Sequence, residues 1–326
     1  MKRACRLVLA ALGAAIAMTV PPVALGQGVA WPVKPVKFIV PFPPGGSVDP
    51  LARLLGVRLA DSLGQPFIIE NKTGASGAIG TAFVAKSPPD GYTYVVVFDT
   101  HAVNPALNPD LQFDTLKDLA PVATLVNTQM LLVVSPAVPA KTLQEFIELA
   151  RKANPPLAYA SIGNGSQHHL VMEMLKARAG IDLLHVPFKG GGPATTALLG
   201  GEIVAMFGGN SVAGHVRAGK LRALAVAGKE RSQVFPNLPR LSDVYPGLEV
   251  TPWLALFAPA GVPESVLARL RAEIKKLLAD PDTVERISRL GGLQPYVTTP
   301  AEFDQLLRTE YAKYAEVVKA AGAKID

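Results

Sequence analysis

Four stretches of this chain place glycines and small hydroxyl residues just before a helical pattern. They are "PFPPGGS" ahead of Asp49–Leu63, "NKTGASGAIG" ahead of Thr81–Lys86, "ASIGNGSQHHL" running into a helix to about Ala177, and "HVPFKGGGPA" ahead of Thr195–Leu199. A helix start leaves backbone N–H groups unpaired at the positive end of the helix dipole. Glycine lets the chain turn tightly there and lets a ligand approach. Such loops are suited to holding an anion.

Three more specific chemistries fail on spacing. The phosphate loop needs Gly-Lys-Ser/Thr after four residues, and Gly45-Gly46-Ser47 lacks that lysine. Gly163-Asn164-Gly165 begins a dinucleotide fingerprint, but His168 stands where its last glycine belongs. Gly74-Ala75-Ser76-Gly77-Ala78 is one residue away from a hydrolase elbow, and nothing pairs Ser76 with a histidine and an acid. Of the five histidines, His168 and His169 are adjacent, so on a helix they diverge by about 100° and do not chelate. His168, at a helix start, is a candidate donor to a ligand. Lys189, between Phe188 and Gly190, is a candidate counter-ion for a carboxylate. Asp49, before Pro50, fits a helix N-cap.

The elements that must position these loops are short apolar runs: Val36–Val40, Phe67–Glu70, Tyr94–Phe98, Leu131–Ser135, Leu157–Ser161, Leu184–Pro187, Val204–Phe207, Leu221–Ala227 and Leu254–Ala258. They are continuous rather than alternating, as in strands covered on both faces. Helical patterns lie between most of them, which predicts an α/β fold with mainly parallel sheets flanked by helices. Thr142-Leu-Gln-Glu145 and Thr299-Pro-Ala-Glu302 are capping boxes opening helices at Leu143 and Pro300. A third apolar stripe, Val266 to Leu278, stops at Asp280-Pro281. In parallel sheets, loops at the carboxyl ends of the strands gather where ligands bind.

The 326-residue length fits about two domains. Residues 1–26 carry Lys2, Arg3 and Arg6, then an uncharged apolar run from Leu7 to Val20, then the small residues Ala24-Leu25-Gly26. This pattern predicts a secretory signal peptide cleaved near Gly26 and a periplasmic protein. Cleavage removes Cys5, the sole cysteine, which precludes internal disulfides, thiol catalysis and cysteine-ligated metal in the mature chain. It also lowers the formal net charge of +6 by three cations to +3, too mild a balance to suggest nucleic acid.

Taken in order, "WPVKPVKFIVPFPPGGSVDPLAR", "LGQPFIIENKTGASGAIGTAFVAKSPPDGYTY", "HAVNPAL", "YASIGNGSQHHL", "HVPFKGGGPATTALLGGEI", "RAGKLRALAV" and "FAPAGVP" resemble the substrate-binding proteins of tripartite tricarboxylate transporters, the Bug family. The likeness runs from about Trp31 to the end. It implies a two-lobed periplasmic binding protein, type II-like, closing as a clam shell on a small carboxylated solute, with no cofactor and no metal. It implies that the loop around Gly45 and Gly46 meets the ligand, that the Ser161–Ser166 loop grips a carboxylate, that Lys189–Gly191 borders the cleft, and that Thr100 and His101 supply side chains. Val204 and Gly208-Gly209-Asn210 depart from the family, which often has acids in these places. Without them a plain carboxylate is favoured over an amino acid, although Asp99 could supply an acid.

The expected lobes are 29–122 with 225–326, and 123–224. Ligand contacts are expected from Pro44, Gly45, Gly46, Ser47, Ser76, Thr100, His101, Ser161, Gly163, Asn164, Gly165, Ser166, His168, Lys189, Gly190, Gly191 and Asn210. The expected role is a non-enzymatic, monomeric receptor that delivers a small organic acid, a di- or tricarboxylate or an aromatic acid, to the membrane components of a tripartite transporter. Two alternatives are an exported serine hydrolase using Ser76 or Ser166, and a ligand sensor docking on a receptor kinase.

Overall fold

The computed structural model describes residues 31–322 except 46, 47, 210, 211, 233 and 291. The expected export segment, Gly46, Ser47 and Asn210 therefore lie outside the described residues. The strands are β1 (Val36–Val40), β2 (Phe67–Asn71), β3 (Thr93–Phe98), β4 (Leu119–Asn127), β5 (Leu131–Val134), β6 (Leu157–Ser161), β7 (Leu183–Pro187), β8 (Ala205–Gly208), β9 (Arg222–Val226), β10 (Trp253–Pro259) and β11 (Gln294–Pro295). The helices are α1 (Val48–Leu63), α2 (Ala78–Ala85), α3 (Thr100–Leu107), α4 (Leu143–Lys152), α5 (Gln167–Ala179), α6 (Gly191–Gly200), α7 (Ala213–Arg217), α8 (Leu241–Val244), α9 (Glu264–Ala279), α10 (Pro281–Arg289) and α11 (Pro300–Ala321).

The apolar runs form two sheets, ordered β11-β4-β10-β3-β1-β2 and β7-β6-β8-β5-β9. Each sheet is covered on both faces, which is why its strands do not alternate. Phe38, Val40 and Val96 face one core with Leu55 and Leu270, while Ile39, Val95 and Val97 face another with Val103 and Leu307. The second sheet divides likewise, with Leu132 and Val134 on one side and Leu131 and Val133 on the other.

Both sheets are mixed rather than mainly parallel. β1 runs parallel to β2 and β3, and β6 runs parallel to β7 and β8. β10 is antiparallel to β3 and β4, and β5 is antiparallel to β8 and β9. The cause is the crossing between lobes. β4 leaves the first sheet at Asn127 and β5 begins the second at Leu131, so β5 starts where β8 and β9 end. β10 likewise enters at Trp253, beside the carboxyl end of β3. The return passes through residues 227–252. Thr128 N–H donates to Pro252 O (3.0 Å) and Ala227 N–H to Met130 O (2.8 Å), tying the two crossings together.

Six elements were not expected: β4, β11, α3, α7, α8 and α10. β4 contains Pro121, which reads against a strand; it is tolerated because β11 pairs only with Val126 and Asn127, leaving β4 an edge at Pro121. α3 contains Pro105. Asp280-Pro281 ends α9 and at once starts α10, since the Asp280 carboxylate accepts from Thr283 N–H (2.9 Å) with Pro281 in the first turn. Both expected capping threonines, Thr142 and Thr299, accept from the helix backbone.

Candidate ligand-binding site

A cavity of about 260 Å³ lies where the carboxyl ends of β3, β6 and β8 meet the crossing segments. Phe98, Asp99 and Thr100 line it from the end of β3, and Thr128, Met130, Pro252 and Leu254 from the crossings and β10. Ile162, Ser166, Gln167 and His168 come from the start of α5, Gly191 from α6, Gly209 from beyond β8, and Leu290 and Leu293 from after α10. It is small beside the usual 300–1,000 Å³ of ligand pockets, so it suits a ligand on the order of ten heavy atoms. Among the described lining residues there is no lysine or arginine. What it offers an anion is the N-termini of two helices, α5 and α6.

The α5 start is built in layers. Ser166, in extended conformation, is the N-cap: its hydroxyl accepts from His169 N–H (3.4 Å) and donates to Gly163 O (2.7 Å). Behind it, Gly163 N–H donates to Ser161 Oγ (3.2 Å), which lies 2.7 Å from His185 Nε2. Gly165 N–H donates to His169 Nδ1 (3.1 Å), and the His169 ring stacks on His185 at 3.9 Å. Ser161, Gly163 and Gly165 thus support the loop and, like the half-buried Asn164, fall outside the cavity lining. Gly165 has φ +69° and is closed in by Leu107 of α3, a first-lobe residue. Leu170 also packs in the first-lobe core, while Val171, Met172 and Leu175 pack in the second.

Three side chains at the cavity carry buried polar atoms without a partner among the described residues: Asp99 Oδ2, Gln167 Nε2 and His168 Nδ1. Burial, and then the Glu310 charge, holds the Asp99 carboxyl well above the usual carboxylate range. Glu310 itself accepts from Trp253 Nε1 (2.7 Å), and burial raises it too. Burial lowers His168 to about 4, so its ring is neutral near pH 7. Tyr314 Oη of α11 donates to Gln167 Oε1 (2.8 Å), leaving the amide N–H groups for something else.

The other expected residues lie elsewhere. Thr100, Ser166, His168 and Gly191 line the cavity. His101 sits outside its lining, between Phe113 and Phe257, lowered to about 3 by burial. Pro44 and Gly45 are exposed and outside the lining. Gly45 N–H donates instead to Asp49 Oδ2 (3.2 Å), a carboxylate also held by Arg53 and Asn71. Ser76 is exposed at φ +51°, and Lys189 is exposed; neither these nor Gly190 line the cavity. Unforeseen are Phe98, Thr128, Met130, Ile162, Gln167, Gly209, Pro252, Leu254, Leu290 and Leu293. Most are apolar and read as core. Gln167 had a usable signal, being the first helical residue after the Ser166 cap.

A family model described as "Tripartite tricarboxylate transporter family receptor" matches residues 51–323. The chain belongs to this family. BugT of Bordetella pertussis is 36% identical over 299 residues, covering 90% of this chain and 91% of BugT. The solved MatC protein of Rhodopseudomonas palustris, with bound malate, is 35% identical at TM-score 0.72, covering 88% of this chain and 99% of MatC. A second R. palustris structure, with adipate, is 30% identical at TM-score 0.77, covering 91% of this chain and all of that one. The tripartite tricarboxylate receptor family consists of periplasmic solute-binding proteins of two-lobed α/β fold, not enzymes. The hydrolase alternative therefore falls, and Ser166 is engaged as a helix cap.

Proposed function

We propose that this protein is exported, captures a small carboxylate in the cavity between its two lobes, and delivers it to the membrane components of a tripartite tricarboxylate-type transporter. The observation that carries this reading is the convergence of the α5 and α6 N-termini on a small cavity without a cationic side chain among its described lining residues. Such a seat fits the delocalised charge of one carboxylate, stabilised by about 0.3–2 kcal/mol per helix terminus. Malate in MatC and adipate in the second relative support an organic acid of a few carbons. Closure of the lobes about the crossings would then present the surface that a transporter reads.

The test is mass spectrometry of the small molecule released when the purified protein is denatured, followed by thermal shift with that compound. A carboxylic acid that raises the melting temperature supports the reading. A neutral or cationic compound that does so overturns it. Loss of uptake of the acid on deletion of the gene, with uptake restored by the intact protein, separates transport from sensing.

A further inference from the structure

At the cavity, two buried side chains have polar atoms without a partner among the described residues. Asp99 is 2% exposed and Gln167 4% exposed. Asp99 Oδ2 and Gln167 Nε2 form no hydrogen bond among the described residues, yet both residues line the cavity. A buried polar atom left unsatisfied costs about 1–3 kcal/mol. A ligand group that satisfies both atoms removes that cost only in the bound state.

We propose that the Asp99 carboxyl and the Gln167 amide form a second polar subsite, which takes an oxygen function of the ligand: a hydroxyl, a keto group or a second carboxyl. The proposal rests on the carboxylate reading above. It selects, within organic acids, those with a second oxygen group a few bonds from the first carboxylate.

The two side chains come from opposite lobes. Asp99 follows β3, and Gln167 opens α5, where Tyr314 Oη fixes its amide by donating to Oε1. Gln167 Nε2 is a donor. Asp99 is a donor when its carboxyl is protonated. The groups that act on it are Glu310 and Lys313 of α11, the backbone hydrogen bonds of Thr100 and Trp253, and Tyr314; the neutral imidazole of His168 lines the same cavity. Burial, and then the Glu310 carboxyl, hold the proton on, whereas Lys313 and the backbone hydrogen bonds of Thr100 and Trp253 oppose them. Two donors facing one cavity call for an acceptor oxygen. An ionised Asp99 would call for an ammonium group instead, so the two states predict opposite selectivities.

The experiment is isothermal titration of the protein with butyrate, succinate, malate and aspartate, on the wild type and on Asp99→Leu, Asp99→Asn and Gln167→Leu, with circular dichroism confirming each fold. The expected result is succinate or malate at least tenfold tighter than butyrate, and aspartate weaker than malate. Asp99→Leu and Gln167→Leu shrink the advantage over butyrate to about threefold or less. Asp99→Asn, which keeps a donor, retains most of it. Raising the pH lowers the wild-type advantage once Asp99 ionises, whereas that of Asp99→Asn stays flat. Butyrate binding as tightly as succinate and malate overturns the subsite while leaving the carboxylate reading intact. Aspartate binding tighter than malate overturns it by showing an ionised Asp99. Failure of all four acids, with thermal stabilisation by a neutral or cationic compound, overturns the carboxylate reading and the subsite with it.

Discussion

The loop after β1 and the loop after β6 share one sequence signature, strand, glycine turn, helix, and have been put to different ends. At the first, Gly45 N–H donates to the chain's own Asp49 carboxylate, which Arg53 and Asn71 anchor. The anion that such a turn attracts is already built in. At the second, the cap is the neutral Ser166, and the next two residues, Gln167 and His168, keep buried polar atoms unpartnered at the cavity. A turn of this kind attracts an anion; at the first loop an acid in the opening turn of the helix supplies it.

The sharpest way to break this contrast is a side chain in each turn. Gly165→Val adds atoms that overlap Leu107 at φ +69°. Ligand affinity by calorimetry should fall at least thirtyfold, because the loop and α3 can no longer pack. Gly45 has φ +80° and open space around it. Gly45→Ala should cost about 1–2 kcal/mol of stability from the left-handed backbone and change affinity less than twofold. Equal affinity losses would erase the distinction between the two loops.

Next in size, Asp49→Ala removes the acceptor of three groups and should lower unfolding free energy by about 2–3 kcal/mol in urea, with affinity changed less than threefold. The Arg53 hydrogen bond depresses the Asp49 pKa more than burial raises it. Its contribution is therefore complete above about pH 4, the unfolded value, and is lost as pH falls through the lower folded value. Asp49→Asn should flatten that acid limb. A smaller effect is expected for Ser166→Ala, which loses the α5 cap: about 1 kcal/mol of stability together with a several-fold loss of affinity. A stability loss with intact affinity would mean the α5 start is not the anion seat. The smallest effect is a silence. His168 titrates near 4, so its imidazole NMR shifts should stay constant from pH 5.5 to 8; a midpoint near 6.5 would place the ring in water.

The α/β character was legible because the strands are fully apolar, and they are so because helices cover both faces. Strand direction was not legible: β5 and β10 reverse because the chain crosses between lobes, and no local pattern marks a crossing. β4 was hidden by Pro121, and α10 by a proline that ends one helix while starting another. At the cavity, Ser166, His168 and Gly191 were readable from helix-start chemistry, and Thr100 only from the family resemblance. Asp49 was read as an N-cap, but it lies inside the first turn of α1, and its hold on Gly45 depends on how tightly the turn folds back. Met130, Leu254 and Leu293 look like any core residue, and only tertiary packing turns them toward the ligand.

The want of a lysine or arginine among the described lining residues has a consequence for salt. An anion held by exposed cations loses affinity as mobile ions crowd in, with a screening length of about 10 Å at 0.1 M. Helix termini and neutral donors enclosed between two lobes carry no ion atmosphere to displace. On the proposed carboxylate reading, capture should hold steady from dilute to concentrated surroundings, so that the grip reports the concentration of the acid and not the ionic strength of the fluid around it.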